Sequence, residues 1–424
     1  MITHSVQFIT LRSRRFIFLL YTFIWFCFFP FVQLFPLGTD SQPNALLIAI
    51  LVFIIKPVFK INKNFFLLLI LFLFTILLLF FSKNSFSSFR SLFNYFSLFF
   101  LTFISYYVLS LLNGIPYKLY CITIYVWFIV GLIQMFFFPS FLSFLISRGD
   151  SSATLLTGRG IVCLTPEPTF YGIMCLLFIM IGYLNFKNVS GMKWLYFLLL
   201  IQLFLFSLSS MCLFLLVISF LFFSIYKIFI SRNIKKIFIY FFCVMIVYIL
   251  LPFVLNFFVN LRFGILLNKL WYTPLTFVTL DASVNERFNH IFFPLYGCFE
   301  NYGLPHGFDS FEAFMNKCFG VSKFQDFFSD YIINASYHRI MSAIGGAFFE
   351  LGIMAFIIII VIYRAFKPLI HIDKNNTFFL ILYIGVLMNA VTFSNAIIPF
   401  VLGNIFFLGK NMEMKDRIVR NERY

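Results

Sequence analysis

The dominant feature of this sequence is a succession of long, uninterrupted apolar runs. About twelve of them approach the roughly 20 residues that an α-helix needs to cross a bilayer. The runs lack the two-residue alternation of membrane β-strands. Charged residues make up only 11% of the chain, against about 25% in a soluble domain. The pattern predicts an all-α polytopic membrane protein and excludes a soluble globular enzyme.

The predicted spans divide the chain into short turns and two longer connections. The long connections are residues 139–168 and 259–339, the second between helices 9 and 10. We therefore expect a single integral membrane domain over residues 1–424. The apolar runs are residues 16–35, 44–59, 65–81, 91–112, 119–138, 169–185, 194–207, 210–230, 237–258, 340–363, 377–390 and 395–409.

The basic residues predict how these spans are oriented. Arg12, Arg14 and Arg15 precede the first run, which predicts a cytoplasmic amino terminus. Twelve crossings then place 21 of the 31 Lys and Arg residues on the cytoplasmic side, with only four of the 15 acidic residues. Both termini are thus expected in the cytoplasm, and both long connections outside. The net charge of +16 is an orientation signal rather than a sign of nucleic-acid binding.

The first long connection carries a basic, glycine-containing segment from Arg148 to Arg159. Small residues let the backbone approach an anion, and guanidinium groups suit phosphate oxygens. The alternative is an ordinary polar loop whose arginines reach towards the interface. Composition favours neither interpretation.

Glu167 lies between Pro166 and Pro168 at the outer mouth of the sixth span. Prolines on both sides fix the backbone of this carboxylate, as an orienting group or a general base requires. Alternatively, the acid only stabilises the positive end of the following helix. We favour a role in a functional site.

The second long connection and the span after it supply four further candidates. Arg287 closes a polar segment that begins at Ser283, and His338 and Arg339 lie at the lip of the tenth span. A histidine there suits a general base for a hydroxyl group, or a simple hydrogen-bonded anchor. Glu350 lies inside the span, so it is expected to face a cavity or to pair with a neighbouring helix.

Other chemistries find little support in the sequence. No zinc-ligand spacing or nucleotide-binding loop occurs, so neither a metal nor a cofactor is expected. Cys298 and Cys318 share the second connection, where either a disulfide or two free thiols would be consistent with the sequence.

Taken in chain order, these features resemble the bacterial O-antigen polymerase family (Wzy-type), and more broadly the superfamily that includes O-antigen ligases. The resemblance is carried by the twelve-span layout and by residues 166–172, which are similar to that family's E-P-[ST] signature. It extends to residues 283–287 and 303–307 of the later connection, and to the return helix with His338 and residues 350–352. One departure lies at residues 207–211, where relatives often carry an arginine.

The resemblance implies a metal-independent glycosyltransferase of the bacterial inner membrane, taking part in lipopolysaccharide biosynthesis. It would join undecaprenyl-diphosphate-linked oligosaccharide repeat units at the periplasmic face to make O-polysaccharide. The implied partners are that lipid-linked substrate, membrane lipid and a polysaccharide chain-length regulator. The implied diphosphate and glycan ligands are Arg148, Arg159, Arg287, Arg339 and Glu350, with His338, Glu167 and Arg287 as catalytic groups.

Three other functions stay open at this stage. One is a non-enzymatic scaffold, for which arginine-rich, proline-bracketed loops would not be required. An O-antigen ligase would use the same lipid-linked donor. A lipid-linked oligosaccharide flippase or other transporter would carry charges along its spans, whereas these spans are almost free of charge except at Glu350.

Overall fold

The structure of the protein, a computed structural model, describes most of the chain. The described residues are 14–34, 37, 39–58, 62–82, 85–156, 158–231, 242, 245–246, 252, 262–273, 277–280, 282–333, 340–389 and 391–421.

Within this part of the chain the regular secondary structure is helical, with no β-strand. Short 3-10 turns occur at Ser143–Leu145, Ser322–Phe327 and Gly352–Ala355, and a π-helical turn at Gln202–Phe206. The α-helices are α1 (Arg14–Phe28), α2 (Asn44–Ile55), α3 (Lys63–Phe81), α4 (Phe86–Leu112), α5 (Tyr117–Phe136), α6 (Ser151–Leu156), α7 (Pro168–Phe186), α8 (Met192–Ile201), α9 (Ser210–Ser231), α10 (Arg262–Tyr272), α11 (Phe277–Leu280), α12 (Ala282–Glu300), α13 (Phe311–Phe319), α14 (Asp330–Ile333), α15 (Ala343–Leu351), α16 (Phe356–Ile372), α17 (Asn376–Met388) and α18 (Ile397–Asn421).

Six helical segments in the described residues are long and apolar enough to cross a membrane. They are α3, α4, α5, α7, α9 and the segment Ala343–Ile372, which contains α15 and α16. Large apolar side chains cover their outer surfaces: Phe80 and Phe81 of α3 are 80% and 88% exposed. Exposure of this kind suits lipid rather than water. The protein is therefore a helical protein of the membrane.

The predicted runs coincide with helices in the described chain, but several boundaries differ. The first run was expected to reach residue 35, whereas α1 ends at Phe28, just before Pro30. The last helix continues to Asn421, well beyond its apolar part. The ninth run, residues 237–258, falls largely outside the described residues.

The tenth predicted run is not one continuous α-helix. Gly352 has φ +60° and interrupts it, and α15 gives way there to a 3-10 turn before α16 begins. The loop after α12 occupies the break: Ile353 N donates to Gly303 O at 2.8 Å, and His306 N donates to Phe349 O at 3.0 Å. Sequence periodicity missed this break because the side chains on both sides are apolar.

The second long connection is largely helical and has a small core of its own. Phe293 of α12 packs there with Phe314 and Met315 of α13, and Phe349 of α15 enters the same cluster. The cluster is separate from the main core of the helix bundle. The described part of residues 259–339 is thus attached to the bundle at α15, which fixes where α12 presents its polar side chains.

Candidate functional site

Local sequence fixes the backbone of Glu167. The residue has extended dihedral angles (φ −148°, ψ 153°) and precedes Pro168, the first residue of α7. Proline suits that first position because its missing amide would have no partner there. The Thr165 hydroxyl donates to the Glu167 carbonyl at 2.8 Å. The carboxylate is therefore presented from a rigid turn at the start of a helix.

Arg148 joins this turn to the connection between α1 and α2. Its Nε lies 2.8 Å from Asp40 Oδ1 and its Nη2 lies 3.0 Å from Asp40 Oδ2. The same Nη2 lies 3.4 Å from Glu167 Oε1. Burial acts to lower the pKa of Arg148, but the hydrogen bond and charge of Asp40 outweigh it, so that pKa lies above its ordinary value. Two-point binding of this kind fixes the guanidinium plane.

Arg287 approaches Glu167 from α12. Its Nη2 donates to Thr169 Oγ1 at 2.9 Å and lies 3.8 Å from Glu167 Oε2. Only 13% of the Arg287 side chain is exposed, against 36% for Glu167 and 54% for Arg148. The structure thus brings together three of the residues singled out in the sequence, Arg148, Glu167 and Arg287.

A buried asparagine positions Arg287. Asn285, two residues earlier on α12, donates from Nδ2 to Phe327 O at 2.7 Å. Its Oδ1 accepts from both the amide and the hydroxyl of Ser329, at 3.1 and 2.9 Å. These bonds tie α12 to the segment that follows α13, so the helix presents Arg287 from a fixed backbone.

Gln134, buried near the end of α5, organises the loop that carries Arg148. Its Nε2 donates to Phe141 O at 2.7 Å and to Cys163 O at 3.0 Å. Its Oε1 accepts from Ser151 Oγ at 2.7 Å and from Cys163 N at 2.8 Å. One side chain therefore stands in for the backbone partners that this loop lacks.

The same loop docks on the π-helical turn after α8. Ile161 N donates to Phe206 O at 2.9 Å. A Cβ atom at Gly160 would lie 2.2 Å from the carbonyl oxygens of Phe206 and Ser207, so only glycine fits. This contact occurs at the start of residues 207–211. Thr169, which accepts a hydrogen bond from the Arg287 guanidinium, lies close to this segment. Cys212 Sγ donates to Thr169 O at 3.4 Å.

Glu350 lies apart from these three residues, within the helix bundle. Glu350 accepts from Ser91 Oγ at 2.7 Å and from Tyr95 OH at 2.5 Å, so it joins α15 to α4 within the bundle. These hydrogen bonds pair Glu350 with a neighbouring helix. Arg159 is half-buried on the first connection, where its amide donates to Thr154 O at 2.9 Å. His338 and Arg339 lie outside the described residues.

Two members of the site were not expected from sequence. Asp40 is a single acid in a short loop. The only sequence evidence for it was that its loop is predicted on the same side of the membrane as the loop of Arg148. Gln134 was hidden in an apolar run, although an amide inside a span is a signal in itself, because it must find partners there. Cys298 and Cys318, for which the sequence allowed either a disulfide or two free thiols, are both free and buried.

The charges at the site nearly balance. Arg148 and Arg287 face the carboxylates of Asp40 and Glu167, and Glu286 adds a further negative potential at Arg148. A diphosphate would therefore compete with Glu167 for the guanidinium groups. The arrangement can hold a carboxylate in one orientation at a partly exposed position and can bind an anion next to it. Within the described residues, no group of three His, Cys, Asp or Glu side chains could hold a metal ion.

Comparisons with protein-family models, with curated proteins and with solved structures found no match to this chain.

Proposed function

We propose that this protein is an O-antigen polymerase, a glycosyltransferase that joins undecaprenyl-diphosphate-linked repeat units. In this proposal twelve spans cross the inner membrane, both termini lie in the cytoplasm, and residues 139–168 and 259–339 face the periplasm. The observation that carries the proposal is the Glu167 carboxylate held between Arg148 and Arg287.

The proposed reaction is a substitution at an anomeric carbon. A hydroxyl of the acceptor repeat unit attacks that carbon and forms the new glycosidic bond, while the bond to the lipid diphosphate breaks. The diphosphate keeps the electron pair of the broken bond. The hydroxyl proton passes to a base, for which Glu167 and His338 are the candidates.

The two arginines suit different parts of this reaction. Asp40 holds the Nε and Nη2 edge of Arg148, so Arg148 is suited to orienting Glu167. Arg287 is more buried, with 13% of its side chain exposed, and it donates to the neutral hydroxyl of Thr169. A buried guanidinium stabilises the charge that develops on a leaving diphosphate more strongly than an exposed one does. We therefore assign Arg287 to the diphosphate.

Complementation of a strain deleted for this gene tests the proposal. A lipopolysaccharide gel of the deletion strain should show core capped with a single repeat unit, and wild-type protein should restore the ladder. Glu167→Gln should insert into the membrane and fail to restore it. Glu300→Gln is the matched control, because Glu300 is also 36% exposed and also forms an ion pair, with Lys317 at 2.9 Å.

Other patterns on the same gel would contradict the proposal. Bare core, with polymer still accumulating on the lipid carrier, would indicate the ligase. An unchanged ladder in the deletion strain would exclude both the polymerase and the ligase and would favour the transporter hypothesis. A full ladder from correctly inserted Glu167→Gln would exclude Glu167 from the chemistry.

A further inference from the structure

A second polar site lies at the opposite end of the helix bundle from Glu167. It is a cavity of about 370 Å³ between the start of α3, the later turns of α4, the middle of α16 and the polar part of α18. Its lining includes Phe65, Tyr106, Arg364, Phe406, Lys410 and Glu413. A volume of this size lies at the lower end of the range of about 300–1,000 Å³ for ligand pockets.

Chain direction establishes that this end is distant from Glu167. Helix α2 starts just after Asp40, which belongs to the Glu167 site, and α3 starts only after α2 has crossed to the other end. On α4, Tyr95 contacts Glu350, and Tyr106 lies about 16 Å further along the helix axis. The cavity therefore does not belong to the site described above.

Two exposed cations face this cavity. Within the described part of the chain, the Arg364 side chain has neither an ion-pair partner nor a hydrogen-bond partner. Lys410 donates from Nζ to Tyr106 OH at 2.8 Å, and its Nζ lies 5.5 Å from the centre of the Tyr106 ring. The lysine is thus held in place without losing its charge to a carboxylate. A guanidinium and an ammonium from neighbouring helices suit a phosphate group.

The cavity also offers acceptors for a positive group. Glu413 lies one turn beyond Lys410 on α18 and contributes a carboxylate. The Glu413 carboxylate suits an ammonium group. An inorganic anion would use only the cationic half of the site.

The rest of the lining is apolar. Phe65 and Phe406 are buried, and their rings are 5.2 Å apart between centres. Ala365 adds a further apolar surface beside them. A site that combines phosphate ligands, an ammonium ligand and an apolar wall at a helix end resembles the boundary between lipid headgroups and acyl chains.

We infer that this cavity binds the headgroup of a membrane phospholipid that carries both a phosphate and an ammonium group. Arg364 and Lys410 bind the phosphate, and Glu413 binds the ammonium. The inference is independent of the glycosyltransferase proposal, because none of these residues belongs to the Glu167 site.

Native mass spectrometry of the full-length protein in detergent tests this inference. The protein is offered phosphatidylethanolamine, phosphatidylglycerol or inorganic phosphate in separate titrations. We expect phosphatidylethanolamine to be retained most strongly, and Arg364→Gln or Lys410→Gln to weaken its retention about tenfold. Lys367→Gln is the matched control, because Lys367 is an exposed cation on the same helix that does not line the cavity.

A further variant tests the ammonium ligand. Glu413→Gln should keep phospholipid binding and reduce the preference for phosphatidylethanolamine over phosphatidylglycerol. Equal retention of the two lipids by the wild-type protein would overturn the ammonium assignment. Unchanged retention in Arg364→Gln and Lys410→Gln would overturn the phosphate assignment, and displacement of the lipid by inorganic phosphate would show a simple anion site. Size-exclusion profiles verify that each variant is folded.

Discussion

Arg148 binds Asp40 edge to edge, through bonds of 2.8 and 3.0 Å, although the two residues lie 108 positions apart in the chain. The pair connects the loop between α1 and α2 to the loop that precedes α7. Because Arg148 also contacts Glu167, the orientation of Glu167 depends on Asp40 through Arg148.

We expect Asp40→Asn to reduce polymer formation without preventing membrane insertion. The amide keeps one acceptor but loses the charge and the second acceptor, so Arg148 is freed to rotate away from Glu167. Asp40 is only 13% exposed, whereas Arg148 is 54% exposed, so the pair is partly buried and its loss should cost about 1–3 kcal/mol of stability. Polymer length on lipopolysaccharide gels and the unfolding temperature in detergent measure the two effects separately.

A double-mutant cycle provides the control for this pair. Arg148→Gln and Asp40→Asn should be no worse together than the more severe single change, because either one breaks the same contact. Additive losses of polymer would show that Asp40 acts independently of Arg148.

Arg287→Lys should fail to restore polymer in the deletion strain, with a loss of about tenfold or more. Arg287 reaches Thr169 and Glu167 with one planar guanidinium, whereas a lysine ammonium is a point charge that cannot reproduce that geometry. Arg14→Lys, an exposed change at the start of α1, should be neutral. A wild-type ladder from Arg287→Lys would mean that charge alone is needed at this position.

Gln134→Met tests whether the amide organises the first connection. Methionine fills a similar volume, but it leaves the amide of Cys163 and the carbonyls of Phe141 and Cys163 without their partner. Each unsatisfied buried group costs about 1–3 kcal/mol. We expect a lower unfolding temperature and faster tryptic cleavage after Arg148 or Arg159. The exposed change Gln325→Met should alter neither.

The sequence was sufficient for much of the fold. Apolar runs of bilayer length located the helices of the described bundle, because in lipid the backbone must satisfy its own hydrogen bonds. Periodicity could not detect the break at Gly352, because it is caused by the backbone of Gly303, which is distant in sequence. The helices of residues 259–339 were expected only as a loop for a different reason: they are amphipathic and too polar to be located as apolar runs of bilayer length.

The candidate site, like the fold, could be predicted from the sequence only in part. Glu167 and Arg148 stood out because charges and prolines are rare in this chain. Their geometry could not be predicted, because it depends on Asp40 and on Arg287 of α12, which meet Glu167 only after folding. Glu350 stood out as an acid inside a span, but its partners Ser91 and Tyr95 belong to α4, which is distant in sequence.

The ion pair between Asp373 and Lys187 should make stability depend on pH. Burial acts to raise the pKa of Asp373, but the bonds from Asn375 and Lys187 outweigh it, and the pKa lies below the ordinary 3.8. A group whose pKa is lowered on folding stabilises the protein above its unfolded pKa. That contribution is lost as the pH falls from about 4 through the folded pKa.

Asp373→Asn should therefore flatten the acid limb of the stability profile. The expected difference is about 1 kcal/mol or less, because 53% of the Lys187 side chain is exposed and the pair is screened by solvent. Unfolding temperatures in detergent between about pH 3 and pH 7 measure it. Asp326→Asn, an exposed change within residues 259–339, serves as control. Identical acid limbs for wild type and Asp373→Asn would contradict the assignment.

Gly352→Ala should be the most damaging of the glycine changes in this helix. Gly352 has φ +60° and ψ −139°, a conformation that residues with a side chain rarely adopt. An added Cβ would also lie 2.2 Å from Gly303 O, which accepts the hydrogen bond from Ile353 N. The loop must then leave the break between α15 and α16, at a cost of about 2 kcal/mol or more. Gly346→Ala is the matched control, because its Cβ would meet Ile340 at an ordinary 3.6 Å. Equal unfolding temperatures for the two variants would show that the loop does not depend on the conformation of Gly352.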